Sequence, residues 1–157
     1  VLTLGIISCQ AYAEDTVIVN DHDISAIKDC WQKNSDDDTD INVIKSCLRQ
    51  EYNLVDAQLN KAYGEAYRYI EQVPRTGVKK PDTEQLNLLK KSQRAWLDFR
   101  DKECELILSN EDVQDLSDPY SESEWLSCMI IQTNTRTRQL QLYRNSEDFY
   151  PSPLTRG

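Results

Sequence analysis

Apolar residues recur at helical spacing in four stretches of the chain, and polar loops separate these stretches. The pattern predicts a short helix over residues 23–33 and long helices over about 41–73, 82–109 and 121–143. The inner face of the first long helix consists of Ile44, Leu48, Val55, Leu59, Ala62, Ala66 and Ile70. Short loops join the helices, so the predicted fold is all-α: an antiparallel bundle of three long helices plus a short N-terminal helix.

The second long helix carries polar side chains on the same face as its tryptophan and cysteine. That face consists of Leu89, Gln93, Trp96, Arg100, Cys104 and Ile107, at three- and four-residue steps. Gln93 and Arg100 each lie about one turn from Trp96. A buried arginine without a partner is very unfavourable, so Arg100 needs a carboxylate, several carbonyl groups or contact with solvent.

Polar residues beside the apolar faces of all three long helices form a predicted structural network. Its members are Asp56, Asn60, Gln93, Arg100, Asp101, Thr133 and Arg136. We expect Asp56 to pair with Arg100 and Asp101 to pair with Arg136. Such a network specifies helix register more than it adds stability, because desolvation offsets much of the attraction. A catalytic role is the alternative, but an aspartate beside an arginine is held ionised, unlike most groups that transfer protons.

The motifs of common enzyme classes are missing from the sequence. It has no His-Glu-x-x-His motif and no Gly-rich phosphate loop, and its one histidine, His22, leaves no Ser-His-Asp set. The segment DDDTD, residues 36–40, lacks the Gly and Glu of a calcium loop, so a solvated turn with Asp40 capping the next helix is the simpler interpretation. We therefore predict a protein that is not an enzyme and binds no cofactor or metal.

The loop before the last helix is acidic. Its carboxylates are Glu111, Asp112, Asp115 and Asp118, a candidate surface for a basic partner or an ordinary solvated loop. The helix that follows is expected to begin at a capping box, Ser121-Glu122-Ser123-Glu124, with Tyr120 packing on Trp125.

The whole chain is acidic as well. Its 27 acidic and 18 basic residues give a formal charge of −9. This charge disfavours nucleic acid and anionic lipid as partners and favours a basic protein, although net charge also serves solubility alone.

The first thirteen residues, VLTLGIISCQAYA, have the pattern of the end of a secretory signal. An apolar run leads to Ala11-Tyr12-Ala13, and cleavage is expected after Ala13. Alternatively, IISC resembles a lipoprotein box, in which Cys9 would carry a lipid anchor. Both interpretations predict export to the periplasm or beyond, and no apolar run is long enough to span a membrane. The expected organisation is a signal remnant over 1–13, a helical domain over 14–146 and a flexible tail over 147–157.

Export gives the other four cysteines a structural meaning. In an oxidising compartment an even number of cysteines indicates disulfides, and four cysteines allow three pairings. We expect Cys30–Cys47 and Cys104–Cys128, because each bond would join neighbouring helices across one turn. A zinc site is disfavoured because the sequence has no Cys-x-x-Cys motif.

Three segments, in this order, resemble the LprI-type lysozyme-inhibitor domain of bacterial exported proteins. They are EYNLVDAQLNKAY, QRAWLDFRDKEC and CMIIQTNTRTRQL. The matching positions are Asp56, Leu59, Asn60, Tyr63, Gln93, Arg94, Trp96, Arg100, Asp101, Cys104, Cys128, Thr133, Arg136 and Leu140. The resemblance covers about residues 30–143, and its middle segment is the most specific.

The resemblance implies a small helical envelope protein that, in some members, inhibits lysozyme. It suggests a periplasmic binding protein that blocks a basic cell-wall-degrading enzyme, either a muramidase or a competitor's toxin against which it gives immunity. The alternative is a non-inhibitory module that docks on another exported protein. Since the matching positions include the polar network, the motif is interpreted as marking the fold and not the inhibitory surface.

Overall fold

Four helices make up the computed structural model, which describes residues 21–32, 40–72, 83–108 and 116–143. The helices are α1 (Asp21–Gln32), α2 (Ile41–Gln72), α3 (Thr83–Leu108) and α4 (Pro119–Leu142). The described ranges contain no strand. The all-α prediction is confirmed, and each helix boundary lies within about two residues of its predicted position.

The apolar face of α2 is the centre of the core. All seven residues predicted to face inward are buried, and Leu48 and Ala66 have no exposed surface. Near the start of α2, Ile44 and Leu48 pack with Leu126 and Ile130 of α4. The 3.6-residue period predicts this face because burying apolar surface is the main favourable term in folding.

The direction of each helix follows from which ends meet. Leu86, near the start of α3, packs in one cluster with Ile70, near the end of α2, and with Leu140, near the end of α4. Consecutive long helices are therefore antiparallel, so α2 and α4 run in the same direction. These two helices make the most extensive contact in the bundle.

Two disulfides brace the bundle, as the sequence predicts. Cys30–Cys47 joins α1 to α2, with Cα atoms 5.6 Å apart. Cys104–Cys128 joins the last part of α3 to the first half of α4, with Cα atoms 5.7 Å apart. Each bond thus holds together two helices that follow one another along the chain.

The start of α4 differs from its prediction. The cap is Asp118, whose carboxylate accepts a hydrogen bond of 2.9 Å from the Ser121 N–H, and the helix begins at Pro119. Proline suits this position because its fixed φ is helical and its missing N–H would have no partner in the helix. At the start of α2 the predicted cap is present, since Asp40 accepts from the Asn42 N–H at 3.0 Å.

The aromatic contact predicted at the start of α4 is also wrong. The Tyr120 ring contacts Trp31 of α1, edge to face, with 5.7 Å between ring centroids. Trp125 instead lies beside Tyr52 of α2, at 6.3 Å. Tyr120 therefore attaches α1 to α4, a tertiary contact that local spacing does not reveal.

Candidate functional site

Two buried arginines lie against Trp96. The guanidinium carbons of Arg100 and Arg136 are 5.2 and 5.9 Å from the centre of the indole ring. Only 6% of Arg100 and 7% of Arg136 is exposed. Cations are attracted to the indole ring by its quadrupole, and the attraction strengthens as water is excluded. Trp96 therefore serves as a common packing surface for a cation of α3 and a cation of α4.

Arg100 forms an ion pair with Asp101, the next residue in the chain. Its Nε and Nη2 donate to Asp101 Oδ1 at 2.9 and 2.8 Å, and its Nη1 lies 3.5 Å from Thr133 Oγ1 on α4. The predicted pairing with Asp56 is wrong. Asp101 is half-exposed, so it stays solvated while it neutralises the buried guanidinium, and no ion pair has to cross from α2.

Arg136 has neutral partners instead of the predicted Asp101. Its Nε donates to Gln93 Oε1 at 3.0 Å, its Nη2 to Ser92 Oγ at 2.8 Å and its Nη1 to Gln139 Oε1 at 3.2 Å. Burial lowers the pKa of Arg136, while Tyr143 acts in the opposite direction. The guanidinium stays charged because arginine does not lose its proton in proteins.

The structure thus brings together five of the seven residues of the predicted network. Gln93, Arg100, Asp101, Thr133 and Arg136 form two hydrogen-bonded groups between α3 and α4, and each group includes an arginine that lies over Trp96. The polar residues on the inner face of α3 accordingly belong to contacts between helices. Their hydrogen bonds join α3 to α4.

The remaining two residues, Asp56 and Asn60, are hydrogen-bonded to each other and not to these groups. The Asn60 amide donates to Asp56 Oδ2 at 3.1 Å, one turn away along α2. Both residues line an open groove between α2 and α3 with a volume of about 540 Å³. The groove is lined by Asp56, Leu59, Asn60, Tyr63, Lys90, Gln93, Arg94 and Leu97.

The α3 side of the groove carries two exposed cations, Lys90 and Arg94. The Lys90 ammonium lies 5.3 Å from the ring centre of Tyr67, whereas Arg94 makes no hydrogen bond or ion pair with any described residue. No sequence motif marks Lys90 as a site residue. The signal that could have identified the pair is a run from Gln85 to Leu97 that contains basic residues and no acidic one.

Of the four acidic residues predicted as a partner-facing loop before α4, only Asp118 lies in the described part of the chain. Asp118 caps the helix, and Glu111, Asp112 and Asp115 lie outside the described residues. Farther along α4, Glu122 forms ion pairs with Lys45 and Arg49 of α2, the first at 3.5 Å. This part of the surface is therefore partly neutralised.

Among the described helices, none is long and apolar enough to cross a membrane. In the same part of the chain, no three His, Cys, Asp or Glu side chains come together in a group that could hold a metal ion.

Comparison with known proteins assigns this disulfide-braced bundle to a class. The chain matches the family described as "Lysozyme inhibitor LprI" over residues 30–140 and belongs to that family. It is 99% identical over 157 residues, all of this chain and 97% of the relative, to "Uncharacterized protein YecT" of Escherichia coli (strain K12). It is 35% identical over 69 residues, 43% of this chain and 48% of the relative, to "Uncharacterized protein R02472" of Rhizobium meliloti (strain 1021). No solved structure matches the chain.

Proposed function

We propose that this protein binds and inhibits a cell-wall-degrading enzyme of the lysozyme type. The observation that carries the proposal is membership of the LprI family, whose match extends from Cys30 to Leu140. That range includes both disulfides, both buried arginines and the α2–α3 groove. The partner is a protein, and the action is to block its active site without turnover.

The charge of the chain supports a basic target. At −9 it attracts a cationic enzyme from a distance, and such steering accelerates association more than it increases affinity. Many muramidases are basic, and a host lysozyme or a toxin secreted by a competing bacterium fits this description. Inhibition of the toxin would make the protein an immunity factor.

The disulfides support a site of action outside the cytoplasm. Both bonds cross-link helices of the core, and such bonds persist in oxidising compartments such as the periplasm. We propose export through the apolar N-terminal segment, with cleavage after Ala13 preferred to lipid attachment at Cys9. These residues lie outside the described part of the chain.

The test is a titration of purified, oxidised protein against a panel of muramidases and amidases. Activity on peptidoglycan should fall in proportion to added inhibitor until about one equivalent is bound, and inhibition should weaken as salt is raised, because exposed charges are screened. A reduced and alkylated sample is the control. No loss of activity with any enzyme, at matched excess, would rule out this function and leave docking on another exported protein as the alternative.

A further inference from the structure

The α2–α3 groove is a positively charged site on an acidic protein. From Gln85 to Leu97 the chain contains Lys90, Lys91 and Arg94 and no acidic residue. Two of these cations, Lys90 and Arg94, lie one turn apart on the groove wall, and like charges at that spacing disfavour the helix. The arrangement is therefore not explained by helix stability.

The groove also offers a hydrogen-bond donor that the buried network orients. Gln93 Oε1 accepts from Arg136, so the amide oxygen is turned toward the interior contact. The amide nitrogen of Gln93 makes no hydrogen bond with any described residue. With Arg94 and Lys90, the Gln93 amide gives the α3 side of the groove three hydrogen-bond donors and no negatively charged group.

The opposite side of the groove differs in character. Asp56 and Asn60 of α2 are hydrogen-bonded to each other, and Tyr63 lies one turn farther on. A negative group that enters the groove is therefore attracted toward α3 and repelled by Asp56. The site fits a carboxylate, which accepts charge-assisted hydrogen bonds from a guanidinium and an amide.

We propose that this groove receives a catalytic carboxylate of the target enzyme, with Arg94 as the main contact and Lys90 and Gln93 as supporting donors. The inference rests on the proposed function and names the site that performs it. It departs from the expectation that the motif containing Gln93 and Arg94 marks only the fold. A glycosidase of the lysozyme type places two carboxyl groups on either side of the bond it cleaves. The general acid of such an enzyme is a carboxyl group that must carry a proton, whereas an arginine beside that group holds it ionised. Contact with Arg94 therefore stops proton donation as well as excluding substrate.

The experiment compares charge reversals inside and just outside the groove. Lys90→Glu and Arg94→Glu alter groove residues, whereas Lys91→Glu and Arg68→Glu alter exposed cations that do not line it. Each variant changes the net charge by the same amount, so any effect of long-range steering is matched. Thermal melting of every variant shows that the bundle is folded.

The inhibition constant distinguishes the outcomes. Arg94→Glu and Lys90→Glu should weaken inhibition by about tenfold or more, whereas the two controls should stay within about threefold of the native protein. Equal inhibition by all four variants would overturn the groove assignment and leave the inhibitory function standing. A native protein that inhibits no enzyme would instead remove the function itself.

A double-mutant cycle tests the identity of the contact. Arg94→Gln is combined with a target variant in which the general-acid carboxyl is replaced by an amide, and binding is measured for all four pairs. We expect the two changes to be non-additive by at least about fivefold, as for directly interacting groups. Additive effects would show that Arg94 contacts a different part of the target and would overturn the assignment to the catalytic carboxylate.

Discussion

Replacing Arg100 with alanine should destabilise the bundle substantially. The side chain is 6% exposed and lies against Trp96, and it connects α3 to Thr133 of α4. Alanine removes the guanidinium and most of the stem while leaving Asp101 and Thr133 in place. The change therefore tests whether the polar groups between α3 and α4 hold the helices together.

The expected loss follows from three contributions. The stem beyond Cβ contains two buried methylenes, worth about 1.5 kcal/mol. The contact with the half-buried indole adds about 1 kcal/mol. Leaving the Thr133 hydroxyl without its long 3.5 Å contact adds about 0.5–1 kcal/mol.

The ion pair with Asp101 adds little. That carboxylate is 50% exposed and returns to water when its partner is removed, so the pair is worth well under 1 kcal/mol. The total is about 3 kcal/mol, which for a chain of this length lowers the Tm by roughly 6–12 °C.

Differential scanning calorimetry and urea denaturation measure this change. Arg94→Ala is the matched control, because it removes an exposed arginine of the same helix and should shift stability by less than about 0.5 kcal/mol. Arg100→Met, which keeps the apolar stem, should lose about 1.5 kcal/mol less than Arg100→Ala. A Tm for Arg100→Ala within about 2 °C of the native value, together with lost inhibition, would refute the reasoning and place Arg100 in the binding surface.

Two further predictions concern the disulfides and alkaline pH. Each disulfide can be removed by a double substitution, Cys30→Ser with Cys47→Ser or Cys104→Ser with Cys128→Ser. Each should lower the free energy of unfolding by about 3 kcal/mol, since the bonds close loops of 17 and 24 residues. Urea denaturation without reductant measures this change, and an unchanged midpoint would contradict the prediction. Burial raises the pKa of Tyr52, Arg100 opposes the rise, and Asp56 and Asp101 add to it. The folded state holds the Tyr52 phenol proton more tightly than the unfolded state does, so the free energy of unfolding should decline as the pH rises above about 10. Tyr52→Phe should show a smaller decline in Tm over the same pH range. Identical pH profiles for the two proteins would contradict the raised pKa of Tyr52.

Local pattern was sufficient for the helices and the disulfides. The seven inward positions of α2 were predictable because one apolar face at the 3.6-residue period can be buried in only one orientation. The cysteine pairs were predictable because short connections bring consecutive helices side by side. The cap of α4 was not predictable in the same way, because Asp118 and Ser121 both suit the start of a helix. Pro119, which lies between them, favours the earlier residue.

The candidate site could be predicted only in part. The spacing of Gln93, Trp96 and Arg100 shows that they share a face, but a shared face does not say which acceptor each donor reaches. Arg100 pairs with its neighbour Asp101, and Arg136 uses the neutral oxygens of Ser92, Gln93 and Gln139, so both predicted ion pairs are wrong. Whether two groups form a hydrogen bond depends on a few tenths of an ångström in the donor–acceptor distance, and sequence periodicity does not determine distances so finely.

The sequence by itself determined the helical class, the inward faces and the cross-links, since all three follow from periodicity, composition and chain connectivity. Only the tertiary structure decided that Arg100 and Arg136 both lie over Trp96 while Asp56 and Asn60 line a groove opposite Lys90 and Arg94. The physical reason is that this division depends on how α3 is rotated and displaced relative to α2 and α4. Many packing contacts set that placement jointly, and no single segment of the chain encodes it.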